Sequence, residues 1–175
     1  MDLIFSNAQI MTAANVITRE QIRAVIAGGA LPECININAI QVFNATCTDP
    51  ALLECVNLEY DYYNHAPDNT KAVVLYKKIE ELIPQIKDAH IQKYFKTKIE
   101  FINTRHAMKK RNAHNIDDYE DKIDELLYKI TLEGKNDIFT QGPLFHWYVL
   151  KQTEARILKM ISLGHEIGGL HARFK

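Results

Sequence analysis

Two histidines and a glutamate near the end of the sequence are of residue types that can bind a metal ion. His165 and Glu166 are adjacent, and His171 follows six positions after His165. Hydrolytic zinc sites place the second histidine four positions after the first, because residues four apart share one face of a helix. At six positions the second imidazole lies about 240° around a regular helix. The spacing therefore favours an ordinary helix end at Gly168-Gly169 over a metal site.

Nucleophilic and nucleotide chemistry have little support in the sequence. The two serines, Ser6 and Ser162, do not lie in a Gly-x-Ser-x-Gly motif, and there is no P-loop or dinucleotide fingerprint. Cys34 follows a turn and is expected to be exposed, whereas Cys47 and Cys55 lie in apolar stretches where thiols are normally inert. None of them forms a C-x-x-C pair, so we expect a reducing compartment. We therefore predict a protein that is not an enzyme and binds no metal or cofactor.

The remaining histidines are expected to have structural or surface roles. The segment Tyr60–His65 combines aromatic, acidic and imidazole groups that could support acid-base chemistry, but its composition is more typical of an exposed loop. The other four lie either in apolar-rich helical patterns or beside a cationic cluster that disfavours a divalent ion: His90, His146, His106 and His114.

Charge is distributed unevenly along a chain whose net charge is −1. Residues 87–111 carry +6 and residues 117–125 carry −5. One interpretation is a nucleic-acid interface in which a basic face binds phosphates, and its candidate residues are Lys93, Lys96, Arg105, Lys109, Lys110 and Arg111. The other is a helix hairpin whose two charged segments neutralise one another. We favour the hairpin, because the nearby aromatic residues have helical spacing and no RNA-binding motif is present.

Capping patterns predict several helices. Thr18 with Gln21 begins a short helix that ends at Gly28-Gly29, and Asp49-Pro50 begins another that runs to about Tyr63. Between them, residues 33–47 contain both an alternating pattern that suits a strand and a spacing that suits a helix, and both alternatives stay open.

The second half of the sequence is dominated by helical periodicity. An apolar stripe runs from Leu75 to Ile102, and Pro84 predicts a kink or break near Ile83. Asn115 is expected to cap a helix that ends at Glu133–Asn136, and a last helix starts near Pro143.

These elements predict a mainly α-helical fold. Three longer helices, one kinked near Pro84, form a bundle over residues 67–175, because short connections favour antiparallel neighbours. Residues 1–66 form an N-terminal arm with short helices, and the 175 residues suit a single domain.

The combined features favour a binding role over a catalytic one. We expect a non-enzymatic structural or adaptor subunit that associates with copies of itself or with other protein subunits, in an assembly such as a virus or phage particle formed in the cytoplasm. The expected contact residues are the apolar ones near the two ends: Leu3, Ile4, Phe5 and Phe174. A nucleic-acid-binding helical protein is the alternative. No run of about 18 apolar residues or secretory signal is present, so we expect no membrane association.

Overall fold

The computed structural model describes residues 31–64 and 69–162. Within these ranges the chain forms helices and no strand, which confirms the predicted all-α fold. The α-helices are α1 (Leu31–Thr46), α2 (Pro50–Asn64), α3 (Asn69–Leu82), α4 (Ala89–Lys110), α5 (Ile116–Gly134) and α6 (Gly142–Ser162), with a 3₁₀ helix at Ile83–Gln85. None of these helices is both long and apolar enough to cross a membrane.

Helix α1 settles the alternatives for residues 33–47 in favour of a helix. Its buried residues include Ala39 and Ile40, which lie four and three positions before the buried Phe43 and so share one face of the helix. Ile37, which a strand would place on the same face as Ala39, is 46% exposed. The three-to-four-residue spacing therefore outweighs the short alternation, and the strand alternative is wrong.

Tertiary contacts divide the described part of the chain into two compact units, residues 31–46 with 144–162, and residues 47–64 with 69–143. In the first unit, the rings of Phe43 and Tyr148 lie 5.0 Å apart between centroids. Glu154 is buried there and accepts a hydrogen bond from Lys151 Nζ at 3.0 Å. The single domain stays a prediction.

The second unit contains α2, α3, α4 and α5. Each helix contributes large apolar residues to its interior, and the most deeply buried are Leu52, Ile79, Ile86, Ile91, Phe95 and Ile130. Burying a side chain of this size stabilises the fold by about 1.5–3 kcal/mol. Helix α2 begins as predicted, with Asp49 accepting hydrogen bonds from the backbone amides of Ala51 and Leu52.

Pro84 divides the long apolar stripe into two helices. Helix α3 ends at Leu82, the 3₁₀ helix contains Pro84, and α4 begins at Ala89. Asp88 caps α4 by accepting hydrogen bonds from the amides of His90 and Ile91. The prediction of an interruption is confirmed, and it is a complete break since a new N-cap restarts the helix.

Helices α4 and α5 form an antiparallel hairpin. Arg105 pairs with Glu120 near the turn, and Lys93 approaches Glu133 at the other end. In the turn, Asn112 adopts the left-handed conformation with φ of 51°, which asparagine tolerates.

Two details of α5 differ from the sequence expectation. Asn115 stands at the N-cap position, but its side chain makes no capping hydrogen bond. Leu126, which its spacing from Ile123 and Ile130 places on the apolar face, is 43% exposed, while its neighbour Leu127 is buried. The apolar face of α5 is therefore narrower than the sequence pattern indicates. The expected helix at residues 18–28 and the end of the last helix near Gly168 lie outside the described residues.

Candidate functional site

A pair of exposed apolar residues lies in the connection between α5 and α6. Phe139 is 93% exposed and Ile138 is 66% exposed. We call these two residues the apolar tip. Large apolar side chains in adjacent positions at this exposure are a feature of binding surfaces, because neither contributes to the protein's own core.

Hydrogen bonds within the connection hold the backbone of the apolar tip. Asp137 Oδ1 accepts a hydrogen bond from the amide of Phe139 at 3.2 Å. The Thr140 hydroxyl donates to the carbonyl oxygen of Asp137 at 3.2 Å and accepts from the amide of Gly142 at 3.1 Å. The apolar tip is thus displayed by a turn with its own side-chain caps.

Contacts to the preceding elements hold the base of this turn. The amide of Thr48 donates to Gln141 Oε1 at 3.2 Å, and Gln141 Nε2 donates to the Thr48 hydroxyl at 3.1 Å. Gly142 lies so close to the end of α5 that a side chain there would meet the Gly134 carbonyl oxygen. The turn is therefore attached both to the segment that precedes α2 and to the end of α5.

The basic segment of α4 is neutralised in part by α5, as the hairpin interpretation predicts. Arg105 Nη1 lies 3.7 Å from Glu120 Oε1, and Lys93 Nζ lies 4.0 Å from Glu133 Oε2. The other four candidate phosphate-binding residues are exposed and have no ion pair among the described residues: Lys96, Lys109, Lys110 and Arg111.

The six basic candidates do not share one face of α4. Relative to Lys93, regular helical geometry places Lys96 about 60° to one side and Lys109 about 160° to the other. A duplex or single strand that follows a row of phosphates needs cations in line. The structure therefore separates these residues into smaller groups.

One of these groups borders a shallow depression between α3 and α4. Its lining residues are Ala72, Val73, Ile102, Arg105, His106 and Lys109. The depression has a volume of about 10 Å³, which is room for about one water molecule. A ligand would consequently lie across it and not inside it.

A buried polar cluster joins α2, α3 and α4. The Tyr76 hydroxyl donates a 2.7 Å hydrogen bond to Glu59 Oε2, and the Lys98 ammonium group contacts the same oxygen. Lys98 Nζ also lies 5.6 Å from the ring centroid of Tyr94 and 5.8 Å from that of Tyr63. The sequence does not bring these five residues together, since their proximity depends on how three helices pack.

The protonation states of this cluster are unsuited to a general base at neutral pH. Burial, and secondarily the negative charge of Glu59, raises the pKa of Tyr76 well above its usual value. Burial alone would lower the pKa of Lys98, but the electrostatic contributions of Glu59 and of three tyrosines, Tyr76, Tyr94 and Tyr63, together outweigh it, and the pKa is raised. Lys98 is therefore charged and Tyr76 neutral near pH 7, so neither of these two groups is a general base there.

The cysteines have the environments that the sequence predicts. Cys34 is exposed. Burial raises the pKa of the Cys55 thiol to about 12 and that of Cys47 to about 11. Thiols with pKa values this high are poor nucleophiles at neutral pH.

The described histidines and carboxylates do not gather into a metal-binding group of three or more ligands. His90 lies 3.9 Å from both Asp88 and Glu133, at the start of α4, and His146 is buried in α6. The pair His165 and Glu166, together with His171, lies outside the described residues.

The expected contact residues near the chain ends also lie outside the described residues: Leu3, Ile4, Phe5 and Phe174. The apolar tip was not among the sequence candidates. The sequence feature that indicates it is the apolar pair Ile138-Phe139 between the turn-forming residues Asp137 and Thr140, because apolar residues there belong to no helical face.

No protein-family model matches the chain, and no curated protein or solved structure is significantly similar to it.

Proposed function

We propose that the chain is a non-enzymatic structural or adaptor subunit that binds other protein subunits through the apolar tip. The observation that carries the proposal is the 93% exposure of Phe139 on a turn held by side-chain hydrogen bonds. Burial of a phenylalanine in a partner's pocket contributes about 1.5–3 kcal/mol. Large anchors of this kind dominate the energy of many protein interfaces.

The order of the turn supports binding by insertion. Asp137 and Thr140 fix the backbone on either side of Ile138 and Phe139, so little conformational entropy is lost when a partner receives the two side chains. The polar groups around the tip, including Gln141 and Thr48, already bond to each other. They would form a rim that needs no new partners.

Site-specific photo-crosslinking tests this role. A photoreactive phenylalanine derivative at position 139 should give a crosslinked product of discrete mass when the chain is made among the proteins of its source cell. The control places the same group at Val74, which is 59% exposed on α3. A discrete product from position 139 and none from position 74 is the expected result.

Light scattering of the purified chain separates self-association from binding to other proteins. If copies associate, the mass should fall when Ile138 and Phe139 are both replaced by serine. A monomer at all concentrations, together with no discrete crosslink from position 139, contradicts the proposal.

In its finer form the proposal places the assembly in a virus or phage particle. The protein composition of purified particles tests this part of the proposal.

Nucleic-acid binding is the second candidate function. It is supported by the exposed cations of Lys96, Lys109, Lys110 and Arg111, which have no ion pair among the described residues. Affinity from phosphate contacts falls steeply as salt rises. A filter-binding titration that detects no complex at low salt would exclude this candidate.

A further inference from the structure

The depression between α3 and α4 combines an apolar floor with a cationic edge. Ala72 and Ile102 are 3% and 5% exposed, and with Val73 they form the floor. Arg105, His106 and Lys109 border it from α4. Arg105 and Lys109 are one helical turn apart, so their charged groups lie along one edge with an axial separation of about 6 Å.

Arg105 is held in place before any ligand arrives. Its guanidinium lies 5.1 Å from the ring centroid of Phe101, and Nη1 is 3.7 Å from Glu120 Oε1. The distance between Nη1 and Oε1 is longer than a hydrogen bond, so these two atoms form an ion pair only. The guanidinium is thus held between the Phe101 ring and the Glu120 carboxylate. A positioned guanidinium loses less side-chain entropy on binding a carboxylate than a free one does.

His106 and Lys109 complete the edge. Both are exposed, and neither has an acidic residue within ion-pair distance among the described residues. The edge thus presents the ammonium group of Lys109, unpaired within the described residues, and the guanidinium of Arg105, which also faces Glu120, beside an imidazole. A ligand that fits this surface carries negative charge next to a small apolar group.

We propose that this depression binds a short acidic segment of a partner protein. A carboxylate of the segment contacts Arg105 and Lys109, and a neighbouring apolar side chain covers Val73 and Ile102. A peptide fits better than a nucleic acid, because the cationic edge spans only one helical turn, Lys93, Lys96 and Lys110 lie on other faces of α4, and Lys98 is paired with Glu59. The inference rests on the proposed protein-binding role, but it uses a surface separate from the apolar tip.

Fluorescence anisotropy with the full chain tests the proposal. The probes are a labelled peptide that alternates glutamate with valine and the same peptide with glutamine in place of glutamate. The glutamate peptide should bind at low salt, and the glutamine peptide should bind about tenfold more weakly or not at all.

Two charge-reversal variants locate the binding. Lys109→Glu should weaken binding of the glutamate peptide about tenfold, because it adds repulsion to the loss of attraction. Lys77→Glu makes the same charge change at an exposed position of α3 that does not line the depression, and it should change affinity less than about twofold. Thermal denaturation checks that both variants are folded.

Several results would overturn the proposal. They are the absence of any binding to the glutamate peptide, equal binding of the glutamine peptide, and equal weakening by the two variants. Tighter binding of a single-stranded oligonucleotide, also lost in Lys109→Glu, would assign the surface to nucleic acid instead. If the glutamate peptide does not bind, the crosslink expected from position 139 is unaffected, so the two proposals are tested separately.

Discussion

The ammonium group of Lys98 on α4 contacts the carboxylate of Glu59 on α2 inside the second unit. The two side chains are 15% and 8% exposed, so water screens the pair only weakly. The Tyr76 hydroxyl donates to the same carboxylate oxygen from α3. One buried acid therefore joins three helices, and its two partners lie on the faces of α3 and α4 that turn toward α2.

Removal of one partner should destabilise the fold more than removal of both charges. Lys98→Met leaves the Glu59 carboxylate in the interior without its cation, and we expect a loss of about 3–5 kcal/mol in the free energy of unfolding. In the double variant Glu59→Gln with Lys98→Met, no charge is left buried and the glutamine oxygen can still accept from Tyr76. Urea denaturation should show the double variant to be more stable than Lys98→Met alone. Additive losses would show that the pair does not couple.

Stability should fall in alkaline solution. The pKa values of Lys98, Tyr76 and Cys55 are all raised in the folded state, from ordinary values of 10.5, 10.0 and 9.0. Above these ordinary values the unfolded chain releases protons that the folded chain keeps. The stabilisation is therefore complete below about pH 9 and decreases as pH rises, by up to about 1.4 kcal/mol per pH unit for each group.

Urea denaturation at pH 7, 9 and 10.5 measures this dependence. The Cys55→Ala variant is the control, since it removes one of the two thiols, Cys55 and Cys47, whose contributions begin to fall at pH 9. Its loss of stability between pH 9 and 10 should be smaller than that of the unaltered chain, whatever its stability at pH 7. An unfolding free energy that stays constant from pH 7 to 10.5 would contradict the prediction.

The sequence predicts the positions of these helices better than it predicts their contacts. Pro84 and the apolar spacing around it place the ends of α3 and α4, because proline removes a backbone donor wherever the chain folds. The contact between Glu59 and Lys98 depends instead on the rotation of each helix about its axis. That rotation is set by the packing of the whole interior, so two residues 39 positions apart give no local signal of their pairing.

Asp49 should be more important to stability than an ordinary N-cap. Its Oδ1 accepts hydrogen bonds from the amides of Ala51 and Leu52, and its Oδ2 accepts one from the amide of Lys87 at 2.9 Å. Asp49→Ala removes the acceptors of all three hydrogen bonds at a position 3% exposed, and we expect a loss of about 3 kcal/mol. Asp49→Asn should lose less, because its amide oxygen still caps α2.

Asp88→Ala is the matched comparison for Asp49→Ala. Asp88 is also buried, but its hydrogen bonds from His90 and Ile91 stay within the first turn of α4. We expect a loss of about 1–2 kcal/mol by urea denaturation. A loss for Asp49→Ala no larger than this would show that the bond to Lys87 adds nothing. The sequence indicates the cap at Asp49 but not this second bond, which joins residues 38 positions apart.

The apolar tip shows a different limit of the sequence. The periodicity of α5 ends at Gly134, and Ile138-Phe139 follows among polar residues, where apolar character fits no helix. Helical periodicity therefore does not indicate this pair. The predicted contact residues near the chain ends have the same apolar character, and they stay predictions.

Gly142 and Gly134 offer a test of the close approach that supports the tip. A Cβ atom added at Gly142 would lie 2.2 Å from the Gly134 carbonyl oxygen and 2.9 Å from its carbonyl carbon. Both are backbone atoms that cannot rotate away, so Gly142→Ala must separate the end of α5 from the start of α6. We expect a destabilisation of about 1–3 kcal/mol by urea denaturation. We also expect weaker crosslinking from position 139, because the turn would shift.

Gly134→Ala is the control for this effect, since it lies on the other side of the same contact. Its added Cβ would meet His90 Cβ at 3.4 Å, which is an ordinary van der Waals distance. Because alanine also favours the helix, this variant should have a stability within about 1 kcal/mol of the unaltered chain, in either direction. Equal losses for the two variants would show that the tight contact between the glycines does not determine how α6 begins.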